Sequence, residues 1–137
     1  MIEIPKLLGK KTLFKDWEEV FDWIGYSFEK IDHIKRKTPA SIIKFTLINE
    51  RLTLKEMFEK VSSDFKGLTL SQEQILETFK NCPKQLYNIP IFVLINDEYA
   101  VLININKHKS AVLYSIADPW VWDGDIYIVS RQNSANG

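Results

Sequence analysis

The chain of 137 residues has a formal net charge of zero, which excludes a global attraction to nucleic acid or to acidic membranes. Its 45% hydrophobic and 26% charged residues are typical of a globular protein, and the length favours one domain over residues 1–137. Because the chain holds one cysteine and no apolar run of the roughly 18 residues that a spanning helix needs, we expect a cytoplasmic protein without a disulfide or a membrane span.

The first third of the sequence predicts short strands on either side of a helix. Residues 2–4 are apolar enough for one short strand. Asp16 has the capping-box spacing to Glu19, and apolar side chains recur at helical period over residues 17–31. Residues 41–47 are apolar and β-branched, which is typical of a strand.

Two further helices are predicted from their start signals. Thr53 with Glu56, and Ser71 with Gln74, both have the spacing of a capping box, in which each side chain bonds the other residue's backbone. Apolar stripes at helical period follow the two pairs, over residues 54–65 and 75–79. The sequence therefore predicts three helices before the period changes.

The last third of the sequence predicts strands joined by short turns. The apolar runs cover residues 89–95, 99–105, 111–116 and 126–130. Both alternating faces of the second run are apolar, which indicates a central strand covered on both sides. Helices followed by hairpin-connected strands predict an α+β fold, with three helices packed on a four-stranded, mainly antiparallel sheet.

Two carboxylates fall at the open end of one predicted hairpin. If its turn is centred on His108, Glu98 lies directly opposite Asp118, although like charges in facing positions are destabilising. Either the register differs or both groups lie in solvent, or this end of the sheet is a site. Such a carboxylate pair could hold a cation, share a proton or meet a basic partner.

The stretch "IPIFVLINDEYAVL", which begins at Ile89, and the stretch "SAVLYSIADP", which ends at Pro119, resemble a known family. They are similar to the C39 peptidase domain, a papain-like cysteine protease that processes bacteriocins, and to the C39-like domains at the N-termini of type I secretion transporters. That family has a Leu-Pro-Ala-Ile strand, then Gly-His-Phe-Val-Val-Leu, and a following strand that ends in Asp-Pro. The resemblance covers residues 52–131 and implies a papain-like arrangement.

The chain departs from the C39 pattern at the catalytic positions. Glu98 stands where the family has its histidine, and Lys15 and its neighbours stand where the cysteine precedes the first helix. Cys82 lies too late in the chain to replace that thiol, so that Asp118 alone matches the triad. Without a thiolate and an imidazole there is no activated nucleophile. The resemblance therefore implies a non-catalytic relative that binds a polypeptide.

Aromatic side chains near this hairpin are candidates for partner binding. Trp120 and Trp122 lie in the loop after Asp118, and exposed aromatics beside Tyr99 could anchor a peptide. The alternative is that both tryptophans are buried in the core. The same loop contains three aspartates, Asp118, Asp123 and Asp125, and carboxylates at such close spacing suggest a calcium site. Their spacing does not match an EF-hand loop, and we expect no cofactor.

We interpret the chain as a non-catalytic protein- or peptide-binding module and expect no enzymatic activity. The expected binding residues are Glu98, Tyr99, Asp118, Trp120 and Trp122. One alternative is a small hydrolase with a site around Glu98 and Asp118. The other is a nucleic-acid-associated protein, which the net charge disfavours, using the basic cluster in residues 30–37, namely Lys30, Lys35, Arg36 and Lys37.

Overall fold

The computed structural model describes residues 2–9, 12, 14–25 and 37–133. Its helices are α1 (Phe14–Val20), α2 (Leu54–Val61) and α3 (Gln72–Lys80), with 3-10 turns at Phe65–Gly67 and Lys84–Leu86. Its strands are β1 (Ile2–Ile4), β2 (Trp23–Ile24), β3 (Ser41–Ile48), β4 (Leu52–Thr53), β5 (Ile91–Leu94), β6 (Tyr99–Ile105), β7 (Lys109–Ser115), β8 (Val121–Trp122) and β9 (Ile126–Asn133).

Seven of these strands form one mixed sheet in the order β1-β3-β9-β5-β6-β7-β2. The pairs β5–β9 and β2–β7 are parallel, and the other neighbouring strands are antiparallel. β9 lies between β3 and β5 and thereby joins the N-terminal strands to the C-terminal hairpins. The short strands β4 and β8 pair separately, as a two-stranded antiparallel ribbon.

The predicted fold class is therefore wrong about the number of strands in the sheet and about how they pair. The structure is a mixed α/β arrangement with seven strands in its main sheet, not three helices on a four-stranded, mainly antiparallel, papain-like sheet. The prediction counted the consecutive strands near the C-terminus and left out the strand at 41–47. That segment, as β3, pairs with β9 along its whole length, a contact between distant parts of the sequence that local patterns do not reveal.

The first predicted helix is shorter than its apolar stripe. It begins at Phe14 and ends at Val20, before the chain pairs with β7 as strand β2. Gly25 lies against β7, where an added Cβ would stand 3.3 Å from Val112 Cγ1, so that a larger residue would crowd the pairing. Ile24 of β2 thus took part in a helical pattern by coincidence of spacing, and residues 26–31 of that stripe lie outside the described residues.

Two of the three predicted capping boxes are confirmed, whereas Asp16 does not begin α1, because it lies within that helix, which starts at Phe14. Thr53 accepts a hydrogen bond from the backbone of Glu56 while the Glu56 carboxylate accepts one from Thr53, and Ser71 and Gln74 do the same at α3. These reciprocal bonds satisfy backbone N–H groups that have no partner within the helix. The second helix ends at Val61 instead of continuing to residue 65, because Ser62 is already extended.

The sheet separates two apolar layers. One layer packs α1 and α3 against β6, whose side chains alternate between the two faces as predicted for a central strand. The indole N–H of Trp17 in this layer donates to Gln72 Oε1 at 2.8 Å, which satisfies a buried donor. The other layer packs α2 against the opposite face, around Phe58 and Phe92. No helix in the described residues is long and apolar enough to cross a membrane.

Candidate functional site

The β6–β7 hairpin has a different register from the one that the sequence suggested. Its turn is centred on Lys107, because the Asn106 side chain accepts the His108 N–H at 2.9 Å and the Asn106 N–H donates to the His108 carbonyl. Tyr99 is therefore paired with Ser115. The asparagine side chain replaces a backbone acceptor in this turn, and a hydrophobic pattern alone could not show that choice.

The new register separates the two carboxylates that we expected to face each other. The Glu98 carbonyl accepts the N–H of Ile116 at 3.0 Å, so the predicted pairing of Glu98 with Asp118 is wrong. Asp118 has its own local role, since its carboxylate accepts the Trp120 N–H at 2.9 Å and fixes the turn after β7. The hydrolase alternative therefore stays a prediction without the facing carboxylates on which it rested.

A cleft of about 480 Å³ lies at this end of the sheet, and we call it the sheet-end cleft. Four parts of the chain form it: the start of α2, the 3-10 turn after α2, the turn before β6 and the turn after β7. The lining residues are Lys55, Phe65, Asp97, Glu98, Tyr99, Ser115, Ile116 and Ala117. Two of the predicted binding residues, Glu98 and Tyr99, thus line one cavity.

The Asn96 side chain fixes the turn between β5 and β6, whose residues line this cleft. Asn96 Oδ1 accepts the N–H groups of Glu98 and Tyr99, both at 2.8 Å. These bonds hold the turn in one conformation, with Glu98 exposed and Tyr99 half-buried at the start of β6. The phenol ring packs against the apolar layer of α1 and α3 and also lines the cleft.

An exposed apolar surface adjoins the sheet-end cleft. Val121 is paired with Thr53, which precedes the cleft residue Lys55 by two positions, so the β4–β8 ribbon stands beside the cleft. Trp120 is 66% exposed and Val121 is 44% exposed. The exposed fraction of Trp120 is high for so large an apolar side chain, and it distinguishes this tryptophan from its neighbour two residues later.

Trp122 belongs to the core instead of the surface. It is half-buried, and its ring lies 4.9 Å from that of Phe92 and 5.4 Å from that of Tyr114, edge to face in both cases. Such pairs stabilise the fold in addition to the area that they bury. Of the two tryptophans proposed for binding, the structure therefore leaves Trp120 available and uses Trp122 to hold the ribbon on the sheet.

Charge around the sheet-end cleft is predominantly negative. Asp97 and Glu98 line it opposite the single cation Lys55, and Asp123 and Asp125 are exposed in the loop after the ribbon. The described residues contain no group of three or more acidic, histidine or cysteine side chains that could hold a metal ion. The calcium interpretation of that loop therefore has no ligand cluster to support it. We call these four acidic residues, two on the cleft and two on the loop that follows the ribbon, the acidic rim.

Sequence reasoning missed the apolar members of the cleft. Phe65 was assigned to a helical stripe and Ile116 to a strand, and both were counted as core. Lys55 was not singled out from the sequence. No local signal marked the cleft, because Lys55, Phe65 and Ile116 come from separate elements that only the folded chain brings together.

Cys82 does not have the properties of a catalytic nucleophile. Burial raises the pKa of its thiol to about 11, and the nearby Lys109 lowers it by a smaller amount. A thiol with such a pKa is protonated at neutral pH, whereas the thiolate is the reactive form. Among the described residues that line the sheet-end cleft there is also no histidine or cysteine.

Comparison with family models, with curated proteins and with solved structures finds no match to this chain. The C39 resemblance accordingly stays a prediction that rests on its short motifs. Most of the basic cluster predicted for nucleic acid lies outside the described residues, which include only the exposed Lys37 of that group. The sheet-end cleft and its exposed border are the features from which a function can be argued.

Proposed function

We propose that the protein is a non-catalytic protein- or peptide-binding module that uses the sheet-end cleft and the adjoining ribbon. The observation that carries this proposal is the exposed pair Trp120 and Val121 beside a cleft lined by Phe65, Tyr99 and Ile116. Water contact with this much apolar surface is unfavourable, at about 25 cal/mol per Å². A partner that covers it gains that free energy, and tryptophan is the residue most enriched at the centres of interfaces.

The acidic rim specifies the chemistry of the partner. Asp97 and Glu98 lie at the cleft, with Asp123 and Asp125 on the loop nearby, and Lys55 is the one basic residue that lines the cavity. A segment that carries lysine or arginine beside an apolar anchor would meet complementary charge on arrival. Such complementarity raises the association rate and the selectivity more than the affinity, and salt weakens it.

The proposal includes the compartment and the kinship that the sequence suggested. A cytoplasmic location agrees with a chain whose single thiol, Cys82, is half-buried and cannot form an internal disulfide. A non-catalytic C39-like ancestry agrees with polypeptide binding at Glu98 and Tyr99, which stand in the motif that carries the resemblance. Binding itself does not depend on that ancestry, because it is argued from exposure and charge.

A displayed library of random peptides tests the proposal before the natural partner is identified. We expect selection on the wild-type protein to enrich peptides that combine an aromatic or large aliphatic residue with lysine or arginine. Binding of a selected peptide should weaken by at least tenfold in Trp120→Ala, and it should fall with rising salt.

Trp23 provides a matched control for that experiment. It is a second tryptophan with a large exposed fraction, 54%, but it lies on β2, which pairs with β7 at Ser110, the end of β7 away from the cleft residue Ser115. Trp23→Ala should leave peptide binding unchanged. If no peptides are enriched, or if those enriched bind Trp120→Ala as well as they bind the wild type, the sheet-end surface is not a peptide-binding site.

A further inference from the structure

One edge of β3 is only partly paired in the described part of the chain, and it lies on the side of the main sheet away from β7. The β3 residues Ser41–Ile48 all pair with β9 on one side, but on the other side β1 reaches only as far as Ile43. In the described part of the chain no strand pairs this edge from Lys44 to Ile48. Alternate backbone N–H and C=O groups of that segment therefore point outward, which makes it a template for another strand.

The side chains beside this edge are apolar on one face. Phe45 and Leu47 share the face that carries α3, and Leu47 is 48% exposed. Phe45 packs edge to face against Tyr127, at 6.1 Å between ring centroids. A cleft of about 550 Å³ opens beside them, with Ile2 and Leu86 in its wall. An added strand would thus find backbone partners and apolar contacts together.

We propose that the occupant is β3 of a second copy of this chain, paired antiparallel about a two-fold axis at Thr46. In that register Phe45 of each copy lies opposite Leu47 of the other, so that both exposed leucines become covered. Lys44 lies opposite Ile48, which keeps the two lysines out of facing positions, where like charges destabilise a pair. A two-fold interface of this kind is self-complementary, since each contact occurs twice.

Charge supports a second copy as the occupant. The formal net charge is zero, so two copies approach without net repulsion, and a net charge near zero favours association. The paired segment is short, and a strand pair of this length buries little area compared with a stable interface. We therefore expect a reversible monomer–dimer equilibrium that depends on protein concentration.

Charged residues introduced at Thr46, on the proposed two-fold axis, test both whether β3 pairs with β3 of a second copy and whether it does so in this register. Thr46 is exposed, so that Thr46→Glu and Thr46→Lys should fold as the wild type does, which circular dichroism and urea unfolding can verify. Sedimentation from about 10 µM to about 1 mM, the range of weak complexes, should show the wild type moving from 16.0 kDa toward twice that mass. Each variant alone should stay monomeric, because it places like charges face to face.

An equimolar mixture of the two variants should recover the dimer, since glutamate then faces lysine at the axis. Trp120→Ala, on the other surface, should dimerise as the wild type does. A wild type that stays monomeric at the highest concentration leaves the edge to a strand of another protein and overturns the proposal. Dimerisation that persists in either single Thr46 variant, or is lost in Trp120→Ala, overturns it as well.

Discussion

Replacing Trp122 by alanine should destabilise the fold far more than replacing Trp120, although the two residues are neighbours in sequence. Trp122 is half-buried and contacts the rings of Phe92 and Tyr114 at 4.9 and 5.4 Å. Truncating a buried tryptophan costs about 3 to 5 kcal/mol, and partial exposure brings the expected loss to about 3 kcal/mol. Trp120 is 66% exposed, so that its truncation should change the free energy of unfolding by less than about 0.5 kcal/mol.

Urea unfolding followed by circular dichroism measures this difference. With a slope of about 2 kcal/mol per M for a protein of this size, Trp122→Ala should lower the midpoint by about 1.5 M and Trp120→Ala by about 0.25 M at most. Similar midpoints for the two variants would refute the assignment of Trp122 to the core and of Trp120 to the surface. A large loss in Trp120→Ala would also remove the reason to regard that residue as a binding anchor.

Two further predictions concern the thiol and a turn. Burial raises the pKa of Cys82 from 9.0 to about 11, so the folded state binds the thiol proton more tightly than the unfolded state does. The stability that this difference contributes is present below pH 9 and should be lost as the pH rises from 9 through 11. Urea midpoints of Cys82→Ala should therefore fall less than those of the wild type over that range, and equal falls would contradict the raised pKa. Gly124 has φ +92°, where an L residue is strained, so Gly124→Ala should cost about 1 kcal/mol in thermal or urea unfolding. Gly67→Ala is the control, because no atom lies within 4 Å of its added Cβ and its φ is not positive; it should be neutral, and equal losses would refute the argument from φ.

Local signals predicted the local structure well. The capping boxes at Thr53 and Ser71 placed the starts of α2 and α3, because a cap is a contact between residues three positions apart. The apolar runs with a period of two placed β5, β6, β7 and β9, because alternation along a strand is also a property of residues close together in the sequence. The strand at 41–47 was predicted as an element, but its partner β9 lies far away in the sequence and no local pattern names it.

The candidate site also has parts that local sequence predicted and parts that depend on contacts between distant residues. Tyr99 and Glu98 were placed at the site by the predicted hairpin, and both line the sheet-end cleft. Their relation to Asp118 depended on a turn that the Asn106 side chain shifts, and a change of this kind moves every facing pair. The distinction between Trp120 and Trp122 required the packing of the ribbon, which depends on contacts with the sheet. Periodicity does not record such contacts.

The position of β9 determines the order in which the chain can assemble. It is the last described strand to emerge during synthesis, yet it lies inside the sheet, and without it β1 and β3 have no connection to β5 through hydrogen bonds. The sheet cannot grow strand by strand from the N-terminus. A nascent chain instead carries two separate half-sheets with exposed inner edges until β9 enters between them, and those edges are available for wrong pairing. Completion of the sheet should therefore be a single event that waits for β9, and the two unjoined half-sheets are the species that molecular chaperones would need to protect.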